Sequence, residues 1–174
     1  LAPLEGPVEQ VLNPLDFSTV IAAIPAIPIL SIPGPFGIIL LSVTADPTGF
    51  TYDPNVVLDF FPGANGAVGI SLTFTNVVIT SAMTGKIVNV PYAETATITA
   101  TSAVVTGNIA FVQGSSGLQT QIQGATTTLN GFQFAVTGAL GNVSQIGTIQ
   151  QIFRAAIELA LAGTLQLLPP LINP

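Results

Sequence analysis

The sequence contains no cysteine and no histidine. Without cysteine there is no disulfide framework, no thiol nucleophile and no thiolate metal site. Without histidine the usual proton shuttle and the commonest zinc ligand are missing. Charge is the next scarcity. Charged residues make up 6% of the 174 residues, against about 25% in an ordinary domain. Lys and Arg together number 2 and the net charge is −6. A nucleic-acid-binding protein needs a basic footprint, and none exists here. An anionic membrane surface is disfavoured for the same reason. The chain also lacks a G-x-S-x-G elbow, a P-loop and a dinucleotide fingerprint. A Ser–Lys pair would have to use Lys86, and Ser81, an odd number of positions away on a strand, points to the opposite face. No catalytic residue, no cofactor and no enzyme activity are expected.

What is abundant is apolar. Hydrophobic residues make up 49% of the chain, which excludes disorder. A length of 174 residues suits one domain, taken as 1–174. From Glu94 to Arg154 no charged residue intervenes, so solubility must rest on Thr, Ser, Asn and Gln or on a covered surface. The chain opens on Leu1 rather than Met. Processing is expected, with a signal peptide removed and an extracellular location. Asn142-Val143-Ser144 is a glycosylation sequon.

Residues 1–33 form a Pro-rich apolar arm. The uncharged run that starts at Phe17 is long enough to cross a bilayer, which takes about 20 residues. Pro25, Pro28, Pro33 and Pro35 interrupt it, with Gly34 and Gly37, so no transmembrane span is expected. A short helix near Ser18–Ile24 and an extended arm, AIPAIPILSIPG, are the expected form. Ile21, Ile24, Ile27, Ile29, Leu30 and Ile32 cannot stay in water. The prolines bar a central strand, so the arm either closes its own fold as a lid or docks on a neighbour.

Residues 36–138 read as antiparallel strands. FGIILLSVT is a buried strand, followed by the turn Asp46-Pro47-Thr48-Gly49. An apolar run follows at Asn55–Phe61, and Asn65-Gly66 is a hairpin signal. Ile70, Leu72 and Phe74 then alternate with Ser71, Thr73 and Thr75. Further strands are read at Lys86–Val90, Ala93–Thr101, Val104–Val112, Leu118–Gln123 and Gly131–Thr137. Their separators are Thr84-Gly85, the Gly114–Gly117 cluster and Asn130-Gly131. Thr and β-branched residues dominate, as half-buried strands prefer.

Residues 148–168 read as one long helix. Thr148 and Gln151 fit a capping box, and Pro169-Pro170 stops it. Gln151, Arg154, Glu158 and Gln166 trace one thin polar stripe; nearly everything else is apolar. Such a helix is packed on a sheet or lines an apolar groove. The groove candidates are Ile149, Ile152, Phe153, Ala156, Ile157 and Leu161, with Phe132 and Phe134 from the preceding strand. Asp46, Asp53 and Asp59 form a loose acidic group. They are calcium candidates by charge, although turn capping and solvation explain them as well; no other metal ligand is expected.

The order of strands followed by a long amphipathic helix resembles the tubular lipid-binding superfamily. That group includes the bactericidal/permeability-increasing, palate–lung–nasal clone and takeout/juvenile-hormone-binding proteins. The resemblance is carried by VTGNIAFVQGSSGLQTQIQGATTTLNGFQFAVTG and IGTIQQIFRAAIELALAGTLQLLPPLI, over residues 67–172. It implies a curved antiparallel sheet wrapped on a long helix, enclosing an apolar groove for lipids. The expected fold is therefore mainly β (α+β): a curved antiparallel sheet of about six to eight strands packed on one long C-terminal helix, with the apolar arm in front. The expected function is a secreted, non-enzymatic protein that holds lipids or other apolar small molecules in a hydrophobic groove, with surface activity. The alternative is a self-assembling extracellular structural subunit of a filament, coat or layer, joined through the arm. Charge keeps monomers apart, and a chain this poor in it has little protection against self-association.

Overall fold

The computed structural model of the protein describes residue 17 and residues 24–63, 67–114 and 117–167. Ile21, the Asn65-Gly66 turn and the end of the expected helix at Leu168 lie outside these residues, as does the short helix expected near Ser18–Ile24 but for its last residue. The strands are β1 (Ile27–Pro33), β2 (Ile39–Thr51), β3 (Val57–Pro62), β4 (Val68–Ile87), β5 (Val90–Gly114), β6 (Gly117–Asn130) and β7 (Gln133–Val136). One helix, α1 (Ile146–Ala162), follows and tightens into a 3₁₀ turn over Gly163–Leu167. The strands make one 7-stranded sheet in the order β1-β2-β4-β5-β6, with β3 also on β4 and β7 also on β5. All pairings are antiparallel. The chain is thus mainly β, with a curled antiparallel sheet and one C-terminal helix. Among the described residues no helix is long and apolar enough to cross a membrane.

The long hairpin β4–β5 is the spine. Its core-facing residues run Ile70, Leu72, Phe74 and then Val77, Ile79, Met83, so the phase changes at Asn76, whose φ is 51. β5 changes phase opposite, from Ala96, Ile98 and Ala100 to Ala103 and Val105. A residue inserted in each strand at one level keeps the apolar face continuous while the ribbon coils. Asp53 clamps this step. Its Oδ2 accepts from Asn76 Nδ2 at 2.7 Å and from Thr75 Oγ1 at 3.1 Å, and its N–H donates to the Thr75 carbonyl at 2.9 Å. β6 changes phase likewise at Gly124, φ +63, so that both Ile122 and Leu129 are buried.

Five of the sequence readings are corrected. Asp46-Pro47-Thr48-Gly49 is not a turn but the middle of β2. Pro47 lies past the last pair with β1, Ile27↔Ala45, and a bulge between Pro47 and Gly49 absorbs its irregularity. Lys86–Val90 is not a strand: Val88 and Asn89 are the tight turn joining β4 to β5. Ala93–Thr101 and Val104–Val112 are one continuous strand, β5. The helix begins at Ile146 with Gln145 as N-cap and no side-chain cap bond, so the Thr148–Gln151 capping box does not form. Thr84-Gly85, read as a separator, lies inside β4.

Gly85 has a packing reason. It faces Val43 on β2 and Tyr92 on β5. A Cβ there would overlap the Ser42 carbonyl oxygen and crowd the Tyr92 hydroxyl. The bare glycine lets the Tyr92 hydroxyl reach across β4 and donate to the Ser42 carbonyl at 3.0 Å. Burial, and secondarily the Glu94 carboxylate, push the Tyr92 phenol from 10.0 up to about 12. The unfolded chain therefore releases this proton first. The contribution of Tyr92 to stability is complete below pH 10.0 and is lost as pH rises towards about 12. Chemical denaturation across that window should show falling stability in the wild type and a flatter profile in Tyr92→Phe. An identical profile in both would remove Tyr92 as the cause.

Inside the curl lies one hydrophobic core, shared by β1 to β6 and α1. α1 touches β6 and β1, the two ends of the strand order, so it lies across the open side of the curl. Within that core an aromatic cluster gathers Phe17, Phe50, Tyr52 and Phe74, with ring centroids 5.1–6.4 Å apart. Thr rows cover the outer face; Thr106 and Thr126 meet across β5 and β6 with their hydroxyls 3.0 Å apart.

Candidate functional site

Three faces of α1 do three different things. Ile149, Phe153, Ile157 and Leu161, one helical stripe at i, i+4 spacing, are each 0% exposed. The Phe153 ring meets Phe134 of β7 edge-on at 6.2 Å. These groove candidates are packed core, with Phe132 and Phe134 half-buried against them.

The polar stripe is divided: Gln151 and Gln166 are exposed, while Arg154 and Glu158 are half-buried against the sheet. β6 is the last strand of the order, so the backbone groups on its outer side have no partner strand. The helix supplies partners. Arg154 Nη2 donates to the Leu129 carbonyl at 3.2 Å, and Glu158 Oε1 accepts from the Leu129 N–H at 3.4 Å. Arg154 and Glu158 pair with each other at 2.9 Å. Gln166 Nε2 donates to the Ile122 carbonyl at 3.4 Å. The Arg154 guanidinium also stacks 5.1 Å from the Phe132 ring centroid. In the sequence these two residues show only as members of the thin polar stripe, because the edge they serve is remote along the chain.

With Arg154 and Glu158 so engaged, α1 also shows water an apolar third face. Ile152 is 36% exposed and Leu159 77%. Beside Leu159 the chain entering β1 passes close. Ile24, Pro25 and Ile27 from the arm and Ala156, Leu159 and Ala160 from the helix line an open cleft of about 470 Å³. None of these six side chains is polar. The cleft therefore joins part of the arm set to part of the groove set. On the far side of Leu159 a smaller hollow of about 250 Å³ is lined by Ala125, Thr126, Thr127, Glu158, Leu159 and Ala162. The Thr127 hydroxyl is buried without a hydrogen-bond partner.

Among the described residues of the arm, those in β1 are structural. Ile29 is buried, Leu30 and Ile32 pack on the core, and all three belong to β1, paired with β2 of the same chain. Pro28 and Pro33 sit on an edge strand, where prolines are tolerated.

The acidic group disperses. Asp46 is exposed on β2, Asp59 is exposed on β3, and Asp53 is occupied by the Asn76 clamp. Among the described residues no three His, Cys, Asp or Glu side chains gather where they could hold a metal ion. Ser81 is buried and Lys86 exposed, on opposite faces of β4. Asn142 stands exposed in the 3₁₀ turn Leu140–Asn142, its side-chain amide donating to the Gly138 carbonyl at 3.3 Å. Glu94 anchors the same turn by accepting from the Ala139 and Leu140 N–H groups at 2.6 and 3.0 Å. A scan of protein-family models and a search of curated proteins both return no match to this chain.

Proposed function

We propose that the protein is a secreted, non-enzymatic carrier of neutral apolar molecules, which it holds in the cleft between Ile24–Ile27 and α1. One observation carries the reading: an apolar cleft walled by Ile24, Pro25, Ile27, Ala156, Leu159 and Ala160. An acyl chain or similar hydrocarbon gains free energy in proportion to the apolar area it loses from water. The ligand's head is neutral on electrostatic grounds. Arg154 is already engaged by Glu158 and the Leu129 carbonyl, and the chain as a whole carries −6. A carboxylate or phosphate head would find no cation among the six cleft side chains to balance it.

The assembly reading uses the same cleft as a seat for a neighbour. Self-pairing of β1 with β2 removes residues 27–33 from any strand exchange, which favours the carrier reading over assembly through the arm. Native mass spectrometry with a long-chain fatty alcohol separates the two. The expected result is one alcohol per monomer, with affinity at least about tenfold weaker in Leu159→Asp, a site 77% exposed and free to accept charge. A large homo-oligomer that takes up no alcohol and that Leu159→Asp breaks apart would establish assembly instead.

A further inference from the structure

At the end of the sheet away from the cleft, two turns lie side by side and both point bulky apolar side chains at water. One is Gly34–Ile38 between β1 and β2; the other is Val88–Asn89 between β4 and β5. Phe36 is 100% exposed, Val88 60%, Val90 65% and Leu40 43%. Phe36 has φ 58, Val88 φ 49 and Asn89 φ 64. A two-residue hairpin turn with both φ values positive favours Asn-Gly, and a β-branched residue there is strained. Val88 occupies that costly position and gains no burial from it. Phe36 likewise holds a left-handed backbone with its ring wholly in water. Strain kept at an exposed site points to use of the side chains it presents.

We propose that this paired-turn tip is an anchor that inserts into a zwitterionic lipid surface. The tip's backbone is suited to an apolar medium. Val88 and Asn89 donate to the Leu40 and Ile39 carbonyls, both at 2.9 Å, and Ile39 donates to Asn89 Oδ1 at 2.9 Å. Gly34 donates to the Ile38 carbonyl at 2.7 Å and Ile38 to that of Pro35 at 3.2 Å. Pro33 and Pro35 have no N–H to satisfy. These bonds travel into lipid with the turns, so insertion strips few unpaired polar groups of water. Lys86, the chain's one lysine, is exposed just behind the tip, where its stem can lie along hydrocarbon and its ammonium can reach a headgroup phosphate. Asp46 and Glu94, opposite Ala82 and Met83 of β4, stand roughly 15–20 Å back along the strands, at the depth of water.

A second copy fits this surface poorly. The four apolar side chains offer on the order of 400 Å², short of the ~800 Å² each partner gives to a stable protein interface. The tip is also convex, and a fluid hydrocarbon layer needs no complementary shape. The net charge of −6 disfavours anionic lipid, so a neutral headgroup surface is the occupant.

The tip does not depend on the cleft, and the test keeps them apart. The full chain is floated with phosphatidylcholine vesicles. Wild type and Leu159→Asp should both partition onto them, with little dependence on salt. Phe36→Ser, and more so Phe36→Ser with Val88→Gly, should lower partitioning at least about tenfold with unchanged circular dichroism; Val88→Gly also relieves the positive-φ strain. Phe36→Trp should shift its indole emission to the blue on vesicle addition. Phe111→Trp, exposed towards the far end of β5, should not. Undiminished partitioning of the Phe36→Ser, Val88→Gly double variant would overturn the proposal. So would an emission shift of Phe36→Trp that tracks protein concentration without vesicles, which would identify a second copy as the occupant.

Discussion

Phe153→Ala is expected to lower the free energy of unfolding by about 3–5 kcal/mol, as aromatic-to-alanine changes in packed cores do. Phe153 is 0% exposed, lies one helical turn from Ile149 and Ile157, and meets Phe134 edge-on at 6.2 Å. The aromatic pair adds about 0.5–1.5 kcal/mol beyond area alone. The helix lies across the open side of the curl and can follow the cavity only by leaving its contacts with β6 or β1. Those include the Arg154 and Glu158 bonds to Leu129, so little relaxation is available. Urea denaturation checks the value. A cost below about 1 kcal/mol would mean that Phe153 borders open space and that the inner stripe lines a groove after all.

Gly85→Ala is expected to be as damaging, although it adds one methyl group. The new Cβ would overlap the Ser42 carbonyl oxygen, which belongs to backbone and cannot rotate away. Either β2 separates from β4 locally or the Tyr92 hydroxyl loses its bond to the Ser42 carbonyl. Overpacking of this kind costs about 1–3 kcal/mol, and a lost hydrogen bond adds about 1 kcal/mol. Thermal unfolding should show the loss, and hydrogen exchange should show weaker protection of β2 amides from Leu41 to Ala45 than of β6 amides. A neutral Gly85→Ala would mean that β2 and β4 are not in the register Val43↔Gly85.

Architecture was legible in the sequence wherever burial followed a simple period. The alternation of Ile70, Leu72 and Phe74 and the helical stripe of Ile149, Phe153, Ile157 and Leu161 each have one apolar face, and both became core. Strand lengths were not legible, because turn residues here sit inside strands. Pro47 and Gly49 are absorbed by a bulge, and Gly85 is demanded by a neighbour's carbonyl. Conversely, Val88-Asn89 carries no turn signature in its first residue, yet it turns. The cleft was half visible. Ile24 and Ile27 stood out as apolar and Ala156 as a helix residue, but Leu159 did not. In the sequence Leu159 looks like any other apolar helix position, and its exposure follows from the docking of α1 with Arg154 and Glu158 on the β6 edge.

The measurement that bears most directly on the carrier reading is a nuclear magnetic resonance titration of the labelled full chain with a long-chain fatty alcohol. Expected are saturable shifts confined to Ile24, Ile27, Ala156, Leu159 and Ala160, the cleft residues that carry an amide or methyl probe, while the core methyls of Val43, Leu72 and Ile98 stay still. A fatty acid of equal length should shift the same signals at higher concentration only. Saturable shifts centred elsewhere, or none at the solubility limit of the alcohol, would contradict the account.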